Sequence, residues 1–316
     1  METRRKGPFK KSTQAFYREG RKVEEYSLFD FLHGYVYGRW PYLYIGVGTG
    51  EHPLSGWLRP LFNLLCTIFS PRGGDPQDEI NFADTYHGKV MPVEAATELV
   101  RVEEEISHRD LEPIIPYKKA RDIILKNPDH IVVLDCPCRS ARENPCLPLD
   151  VCLIVGEPFA SFVLEHQPRH ARSITQQKAE EILHAEHRRG HVHHAFFKDA
   201  MLERFYAICN CCACCCGAFQ AQRSGTPMLT SSGYTARLDE GLCTACGTCE
   251  EVCQFQAVTV TGKSAAVSEW ECMGCGVCVG HCPEDALELV LTPEKGQPLM
   301  IRSLLAQSRE GAVRKG

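Results

Sequence analysis

Residues 243–253, CTACGTCEEVC, and residues 272–282, CMGCGVCVGHC, carry the same spacing of four cysteines. Both segments are Cys-x2-Cys-x2-Cys-x3-Cys, and each is followed by a short apolar run that predicts a strand. Two copies of one pattern form an internal repeat. Because three thiolates two residues apart can surround three corners of an iron–sulfur cube, the repeat predicts a compact cluster-binding module over residues 234–292.

The repeat resembles the bacterial-type ferredoxins that hold two [4Fe-4S] clusters. In that family the fourth cysteine of each run binds the other cluster. The resemblance implies that the ligands of cluster 1 are Cys243, Cys246, Cys249 and Cys282, and that those of cluster 2 are Cys272, Cys275, Cys278 and Cys253. Gln254 stands where the pattern has Pro, so we expect a different loop after Cys253. Zinc knuckles are the alternative, although zinc sites rarely use this spacing.

Ten further cysteines lie upstream in two groups. The first group, in DCPCRSARENPCLPLDVC, is Cys136, Cys138, Cys146 and Cys152; the second, in ICNCCACCCGAF, is Cys209, Cys211, Cys212, Cys214, Cys215 and Cys216. Each group follows a predicted strand, IVVLD or RFYAI, and residues i and i+2 of a strand share a face about 6.6 Å apart. We therefore expect four of them to form one site, namely Cys136, Cys138, Cys209 and Cys211. Three others are expected to point away from that site: Cys212, Cys214 and Cys216. The remaining Cys66 lies in an apolar stretch and is expected in a core.

The number of upstream thiols fits one or two additional iron–sulfur clusters. Ten ligands are enough for two cubanes with two spare thiols, or for two clusters with five ligands each. Zinc or another thiolate-bound metal, and redox-active or disulfide thiols, are the alternatives. Disulfides between adjacent cysteines would be strained. The surplus of ligands is compatible with a catalytic cluster.

Two wider resemblances bear on these upstream cysteines. The order of the segments is similar to larger iron–sulfur proteins of anaerobic bacteria, in which DCPCR and CNCC segments precede a dicluster ferredoxin. A second resemblance, to the Cys-Cys-Gly domains of heterodisulfide reductase-like proteins, rests on Cys215, Cys216 and Gly217. The first implies redox use in an anaerobic context, and the second implies an Fe-S oxidoreductase with a catalytic N-terminal cluster.

Composition and charge limit the location and the partners. The 316 residues include 19 cysteines, and the basic N-terminus lacks the apolar region of a signal peptide, so we expect the reducing cytoplasm. Residues 234–292 hold nine acidic and two basic residues, a balance of −7 in a chain of net charge −5. This acidity favours docking on a basic patch of a redox partner protein. We find no dinucleotide fingerprint, no nucleophilic triad and no nucleic-acid-binding pattern, and no apolar run approaches the roughly 20 residues of a membrane span.

The sequence predicts an α+β protein with a mixed α/β, cysteine-rich domain before a bacterial dicluster ferredoxin-like domain. The expected parts are a basic arm (1–24), the α/β domain (25–222), a linker (223–233), the ferredoxin domain (234–292) and a tail with a helix (293–316). Within the α/β domain we expect strands at HVHHAFF and RFYAI, and three helices. The first helix has Ala95, Leu99, Val102 and Ile106 on one face. The second covers YKKARDIILKNPDH, and the third covers residues 173–190, with Ser173 and Gln176 in capping-box spacing.

Two further segments leave alternatives open. Residues 26–69 hold eleven of the 27 aromatic residues. These side chains suit a core, a docking face for a subunit, or contact with lipid headgroups at the inner face of the membrane. In the last case the basic arm would be attracted to anionic lipids. Five histidines precede the cysteine-rich stretch: His184, His187, His191, His193 and His194. They suit a metal or a proton relay, but a partly exposed helix end is the simpler interpretation.

These observations favour an electron-transfer protein, or the electron-transfer subunit of an anaerobic oxidoreductase, over a complete enzyme. Electrons would pass through the two ferredoxin-type clusters and one or two additional clusters. The alternative is that the upstream cluster is itself catalytic. A sensor in which cluster assembly controls a partner is a third hypothesis.

Overall fold

A computed structural model of the protein describes residues 10–58 and 80–313. Cys66 and the apolar stretch around it lie outside these ranges. Across the described ranges, none of the helices combines the length and the apolar character that a membrane crossing requires.

The described helices and strands alternate along the chain. The helices are Lys11–Gly20, Leu28–Arg39, Pro41–Thr49, Phe82–Thr85, Val93–Val100, Pro137–Ser140, Phe159–His166, Gln176–Arg188, Gly217–Arg223, Thr248–Val252, Val277–His281 and Ile301–Val313, with a 3-10 turn at Pro293–Lys295. The strands are β1 (Tyr86–Met91), β2 (Ile106–His108), β3 (Ile123–Asp135), β4 (Asp150–Glu157), β5 (Ala171–Ile174), β6 (Val192–Lys198), β7 (Arg204–Cys211), β8 (Leu229–Thr230), β9 (Tyr234–Leu238), β10 (Val258–Thr261), β11 (Ser264–Val267) and β12 (Leu287–Leu291).

One eight-stranded sheet organises the region before residue 231. Its strands run in the order β2-β3-β4-β7-β6-β1-β8, and β5 pairs with β3. All neighbours are antiparallel except β1 and β8. Helices Val93–Val100 and Gln176–Arg188 pack on each other and on the sheet, while Phe159–His166 contacts β3 and β4. The carboxyl ends of β3 and β7 both lead directly into the upstream cysteines.

Two helix predictions in this region are wrong. YKKARDIILKNPDH contributes to β3 instead of a helix, because Ile123 and Leu125 are buried alternately and pair with β2. An irregularity around Asn127, where φ is +46°, lets β3 continue past Pro128, which has no N–H to donate to a ladder. The helix with Leu99 ends at Val100, and Ile106 begins β2.

Other local predictions are confirmed. HVHHAFF and RFYAI lie in β6 and β7, and a helix occupies Gln176–Arg188. That helix is capped by Thr175 rather than Ser173, since the Thr175 hydroxyl accepts from the Lys178 N–H at 3.1 Å. Gly190, at φ +77°, stands just beyond its end.

The ferredoxin-like unit consists of two matching halves. β9 pairs with β12 and β10 pairs with β11, both antiparallel, and one short helix follows the third cysteine of each motif. Its own apolar core contains Ala236, Val258, Ala265 and Leu287.

The segments that flank this unit belong to the large sheet. Residues 223–233, expected to be a linker, contain β8 and the buried Met228. After the unit, helix Ile301–Val313 returns to β2, where His108 Nε2 lies 2.7 Å from the Leu304 carbonyl. The carbonyl of Gln297 accepts from the buried Lys89 Nζ at 2.8 Å. The ferredoxin-like unit is therefore held at both of its ends.

The N-terminal region is part of this packing. Residues 11–20 of the expected basic arm form a helix whose Phe16 is fully buried. In the aromatic segment Tyr37 is buried, but Trp57 is 85% exposed and Leu28 63% exposed. The described part of the segment thus supplies core contacts and also presents apolar side chains to solvent.

Candidate metal centres

The first ferredoxin-like cavity is surrounded by the four cysteines that were predicted for cluster 1. Cys243, Cys246, Cys249 and Cys282 line it together with Pro283 and Leu287. The chain turns between these thiols with Ala245 at φ +53° and Gly247 at φ +87°. The Ala286 N–H donates to Cys282 Sγ at 3.3 Å, a contact that stabilises a thiolate and tunes a bound cluster.

The second cavity repeats this arrangement. It is lined by Cys253, Cys272, Cys275 and Cys278. Backbone N–H groups donate to its sulfurs, from Ala257 to Cys253 at 3.2 Å and from Ala236 to Cys272 at 3.4 Å. The structure thus brings each predicted set, including the exchanged fourth cysteine, around its own cavity.

The two cavities differ in their exposure. Cys246 of the first set is exposed, whereas Cys275 of the second packs against the core of the α/β domain. Burial is the main cause that raises the pKa of Cys278 to about 12, and the charges of the neighbouring thiols add to it. Such thiols ionise when a cation compensates their charge, so the donor set fits iron. The first site faces solvent, and the second lies against the α/β domain.

Gln254 connects the second cavity to the cysteine-rich stretch. Its Oε1 accepts from the Ala213 N–H at 2.8 Å, and the Phe255 ring lies 4.9 Å from the Phe219 ring. Proline at position 254 would have no side-chain acceptor. The departure from the ferredoxin pattern therefore coincides with a contact to the loop that carries Cys212 and Cys214.

The ten upstream cysteines divide into a set of four and a set of six. The four, which we call the four-thiol site, are Cys146, Cys212, Cys214 and Cys215, and their sulfurs all lie within 4.8 Å of one another. Cys146 Sγ is 3.2 Å from Cys214 Sγ, which is 3.6 Å from Cys215 Sγ. Burial opposes ionisation of Cys214, but hydrogen bonds from Cys146, Cys212 and Cys215 outweigh it and lower its pKa.

The other six cysteines line a cavity of about 400 Å³, which Cys212 and Cys215 of the four-thiol site also border. They form what we call the six-thiol site: Cys136, Cys138, Cys152, Cys209, Cys211 and Cys216. Each thiol interacts with the next around a ring, in the order Cys209, Cys152, Cys136, Cys138, Cys216 and Cys211. The hydrogen bond with Cys138, together with burial, raises the pKa of Cys136 to about 12. This donor set and the enclosed space fit an additional iron–sulfur centre.

The predicted partition of the cysteines needs two changes. Cys136, Cys138, Cys209 and Cys211 share a site as expected, and Cys214 points elsewhere. Cys212 belongs to the four-thiol site but also lines this cavity. Cys216 lines it too, because the chain turns after β7, with the Cys216 N–H donating to the Cys212 carbonyl at 3.0 Å. This turn returns Cys216 to the cavity that Cys211 already lines.

Three tyrosines line the six-thiol cavity, the buried Tyr37 and Tyr206 and the half-buried Tyr86, and the sequence did not single them out. The Tyr37 hydroxyl lies 2.7 Å from that of Tyr206, and both are 3.4 Å from the Tyr86 hydroxyl. Lys198 Nζ lies 4.8 Å from the centre of the Tyr86 ring. Burial raises the pKa of all three tyrosines, which keeps their protons in place.

A strand irregularity explains how Tyr206 reaches this cavity. Tyr206 and Cys209 are three residues apart, so simple alternation would place them on opposite faces of β7. The pairing of β6 with β7 shifts between Phe196 and Phe197, opposite Tyr206. Both side chains therefore line the same cavity, a common use of a β-bulge near a functional site.

A buried ion pair lies next to the six-thiol site and holds the segments that carry its cysteines. Arg139, 1% exposed, donates to Glu186 Oε2 at 2.6 Å and to the carbonyls of Asn210 at 3.0 Å and Pro148 at 2.5 Å. The same carboxylate oxygen lies 2.6 Å from His191 Nδ1. Arg139 follows Cys138 directly, and Asn210 separates Cys209 from Cys211, so this network positions three candidate ligands.

The expectation of a partly exposed helix end holds for two of the five histidines. His184 is exposed and His187 half-buried at the end of helix Gln176–Arg188, whereas the other three are buried. His193 and His194 have no exposed surface, and His193 Nδ1 lies 2.6 Å from Asn210 Oδ1. His193 stacks at 5.6 Å on His187, which lies 6.1 Å from His281 of the ferredoxin-like unit. The part of the chain that the structure describes has no group of three metal-ligating side chains that includes them. Through His187, the histidine group contacts the ferredoxin-like unit.

The comparisons with known proteins address the C-terminal unit. No curated protein matches the chain. Residues 235–283 match a family model described as a 4Fe-4S dicluster domain. Together with the cysteine group in the middle of the chain, this match indicates an iron–sulfur electron-transfer role, carried at its C-terminal end by a ferredoxin-type dicluster module.

Proposed function

We propose that this protein is an electron-transfer protein, or the electron-transfer subunit of an anaerobic oxidoreductase, in which electrons entering at the ferredoxin module reach a centre held by the six-thiol site. The observation that carries the proposal is the hydrogen bond from Ala213 to Gln254. It joins the residue after Cys253 to the loop between Cys212 and Cys214. Four-iron clusters, when bound, supply one-electron carriers with accessible potentials.

The exposure of the cysteines supports a direction for this path. Cys246 at the first cavity is exposed, whereas the second cavity adjoins the α/β domain. The surrounding surface is acidic, with nine acidic residues in 234–292. A redox partner with a basic patch would therefore dock next to the first site, helped by charge complementarity. The number of thiols supports a cytoplasmic, reducing location.

Anaerobic purification followed by electron paramagnetic resonance tests the proposal. Dithionite reduction is expected to give signals from the ferredoxin module and at least one further signal. Cys136→Ala with Cys209→Ala should remove the further signal and its iron, and should leave the ferredoxin signals unchanged. The matched control, Cys243→Ala with Cys246→Ala, should do the opposite. If the anaerobic protein shows no reducible cubane signal, the proposal fails.

A second candidate function is catalysis at the six-thiol site, and the size of its cavity favours it. About 400 Å³ is within the range of small-molecule sites. The protonated Tyr37, Tyr86 and Tyr206 are placed to donate hydrogen bonds or protons there. A heterodisulfide reductase-like reaction would cleave one S–S bond, consuming two electrons from the ferredoxin module and two protons, and would release two thiols.

Small disulfides discriminate between the two functions. Cystine and 2-hydroxyethyl disulfide would be added to the reduced protein, with the spectrum and the released thiols followed anaerobically. Turnover that falls in Tyr206→Phe without a change in iron content would support catalysis. An unchanged spectrum with both disulfides would argue against this reaction and leave electron transfer as the function.

The exposed apolar side chains of the N-terminal region suit a subunit interface. Leu28, Leu32, Trp40 and Trp57 are exposed, and a stable partner subunit would cover them. Peripheral binding to the inner face of the membrane is the alternative. Flotation with anionic vesicles, compared between the wild type and Trp57→Ser, separates these alternatives, because a subunit interface gives no flotation.

A further inference from the structure

The four-thiol site differs from the ferredoxin cavities in the separation of its sulfurs. Cys146, Cys212, Cys214 and Cys215 converge so closely that every pair of sulfurs lies within 4.8 Å. Within the described residues, neither ferredoxin set is such a group. In a cubane each thiolate binds a different iron, so the sulfurs are held around a cube and not around a point.

The separations agree with the coordination of a single ion. Thiolate sulfurs bind zinc at about 2.3 Å, and the edge of a tetrahedron with that radius is about 3.8 Å. Cys146 Sγ and Cys214 Sγ are 3.2 Å apart, and Cys214 Sγ and Cys215 Sγ are 3.6 Å apart. Binding would expand both edges slightly. A disulfide would need a shorter S–S distance of about 2.05 Å.

We propose that Cys146, Cys212, Cys214 and Cys215 bind one tetrahedral metal ion, zinc or iron, without inorganic sulfide. A tetrahedral set of four sulfurs is typical of these metals. Four thiolates around a divalent ion carry a net charge of −2, and the nearby Arg142 donates through Nη2 to the Cys215 carbonyl at 3.1 Å. This site is independent of whether the protein transfers electrons.

The position of the ion would give it a structural effect on the six-thiol site. It would join the loop with Cys146 to the stretch 212–215, which lies between Cys211 and Cys216. Those two flanking residues line the other cavity. The cysteine-rich stretch thereby supplies ligands to two different centres, and Cys212 and Cys215, which also border the six-thiol cavity, lie between them.

The metal content of the full chain tests this inference. The anaerobically purified protein would be analysed for iron, zinc and acid-labile sulfide, beside the variant Cys146→Ser/Cys214→Ser. The variant is expected to lose one metal ion and no sulfide. Loss of zinc identifies a structural site, and loss of one iron identifies a redox-active one. The control Cys243→Ser/Cys246→Ser should lose iron and sulfide together.

A second measurement protects the test against misfolding of the variant. Wild-type protein produced in medium with Co²⁺ should show the thiolate-to-cobalt charge-transfer bands of a tetrahedral tetrathiolate site, with one Co²⁺ per chain. Loss of about four irons with four sulfides from the variant would overturn the inference in favour of a cubane. A wild-type protein without a metal ion at the four-thiol site, in which alkylation after denaturation finds two fewer free thiols than expected, would overturn it in favour of a disulfide.

Discussion

Replacing Arg139 by Met should destabilise the protein more than any surface substitution. The guanidinium and the Glu186 carboxylate are each 1% exposed and lie 2.6 Å apart. Removing one partner of a buried ion pair costs about 3–5 kcal/mol. Two carbonyls, of Pro148 and Asn210, also lose a donor. Glu186 keeps Arg189 Nη1 at 3.0 Å and His191 Nδ1 at 2.6 Å, so we expect a loss near the lower end of that range.

Urea unfolding under anaerobic conditions measures this loss, with the metal content of each sample determined beforehand. Glu186→Met added to Arg139→Met removes both charges, so the double variant should recover about 2 kcal/mol or more of the loss. Arg101→Met is the matched control, because Arg101 pairs with Glu180 at the surface and its replacement should cost much less stability. A small loss for Arg139→Met, or a double variant with the sum of the two single losses, would refute the reasoning.

The remaining predictions concern the connection of the units, the ferredoxin turn and the pH dependence. Gln254→Met should slow reduction of the six-thiol centre in stopped-flow experiments with unchanged iron content, whereas Pro283→Ala, at the equivalent position of the first site, should not. Gly274→Ala should cost several kcal/mol in urea unfolding, because its Cβ would lie 2.1 Å from a backbone carbonyl at φ +64°, while Gly247→Ala, with nothing within 4 Å, should cost about 1–2 kcal/mol of backbone strain alone. Burial lowers the pKa of His166 to about 4, so the unfolded chain binds a proton first as the pH falls below about 6.5, and this residue should contribute about 1–2 kcal/mol to the stability lost between about pH 7.5 and 5. Burial also lowers the pKa of His87 to about 4, so His166→Gln should reduce the slope by its own share and not abolish it; an equal slope in both proteins would show that His166 contributes nothing.

The ferredoxin-like unit was predictable because its ligands come from a local pattern. The spacing of Cys243, Cys246 and Cys249 fixes a loop geometry that needs no information from the rest of the chain. Likewise, Cys209 and Cys211 line one cavity because a strand places residues i and i+2 on one face.

The partition of the upstream thiols was not predictable, since it depends on tertiary contacts. Cys146 reaches Cys214 from 68 positions away, and Cys216 joins the six-thiol site through one turn of the backbone. The strand at Ile123–Asp135 shows the same limit, because a segment with helical periodicity became a strand when β2 and β4 paired with it. Tyr206 lines the cavity only because of an irregular pairing, which no spacing rule anticipates.

The clamping of the ferredoxin-like unit between β8 and helix Ile301–Val313 has a kinetic consequence. A module on a flexible tether must find its acceptor by diffusion, at an effective concentration set by the tether. Here the second cavity is already seated against the upstream domain through Gln254 and Phe255. Transfer between the two units should then proceed at the same rate in buffer and in concentrated glycerol, and only the encounter with an external partner should slow as the viscosity rises.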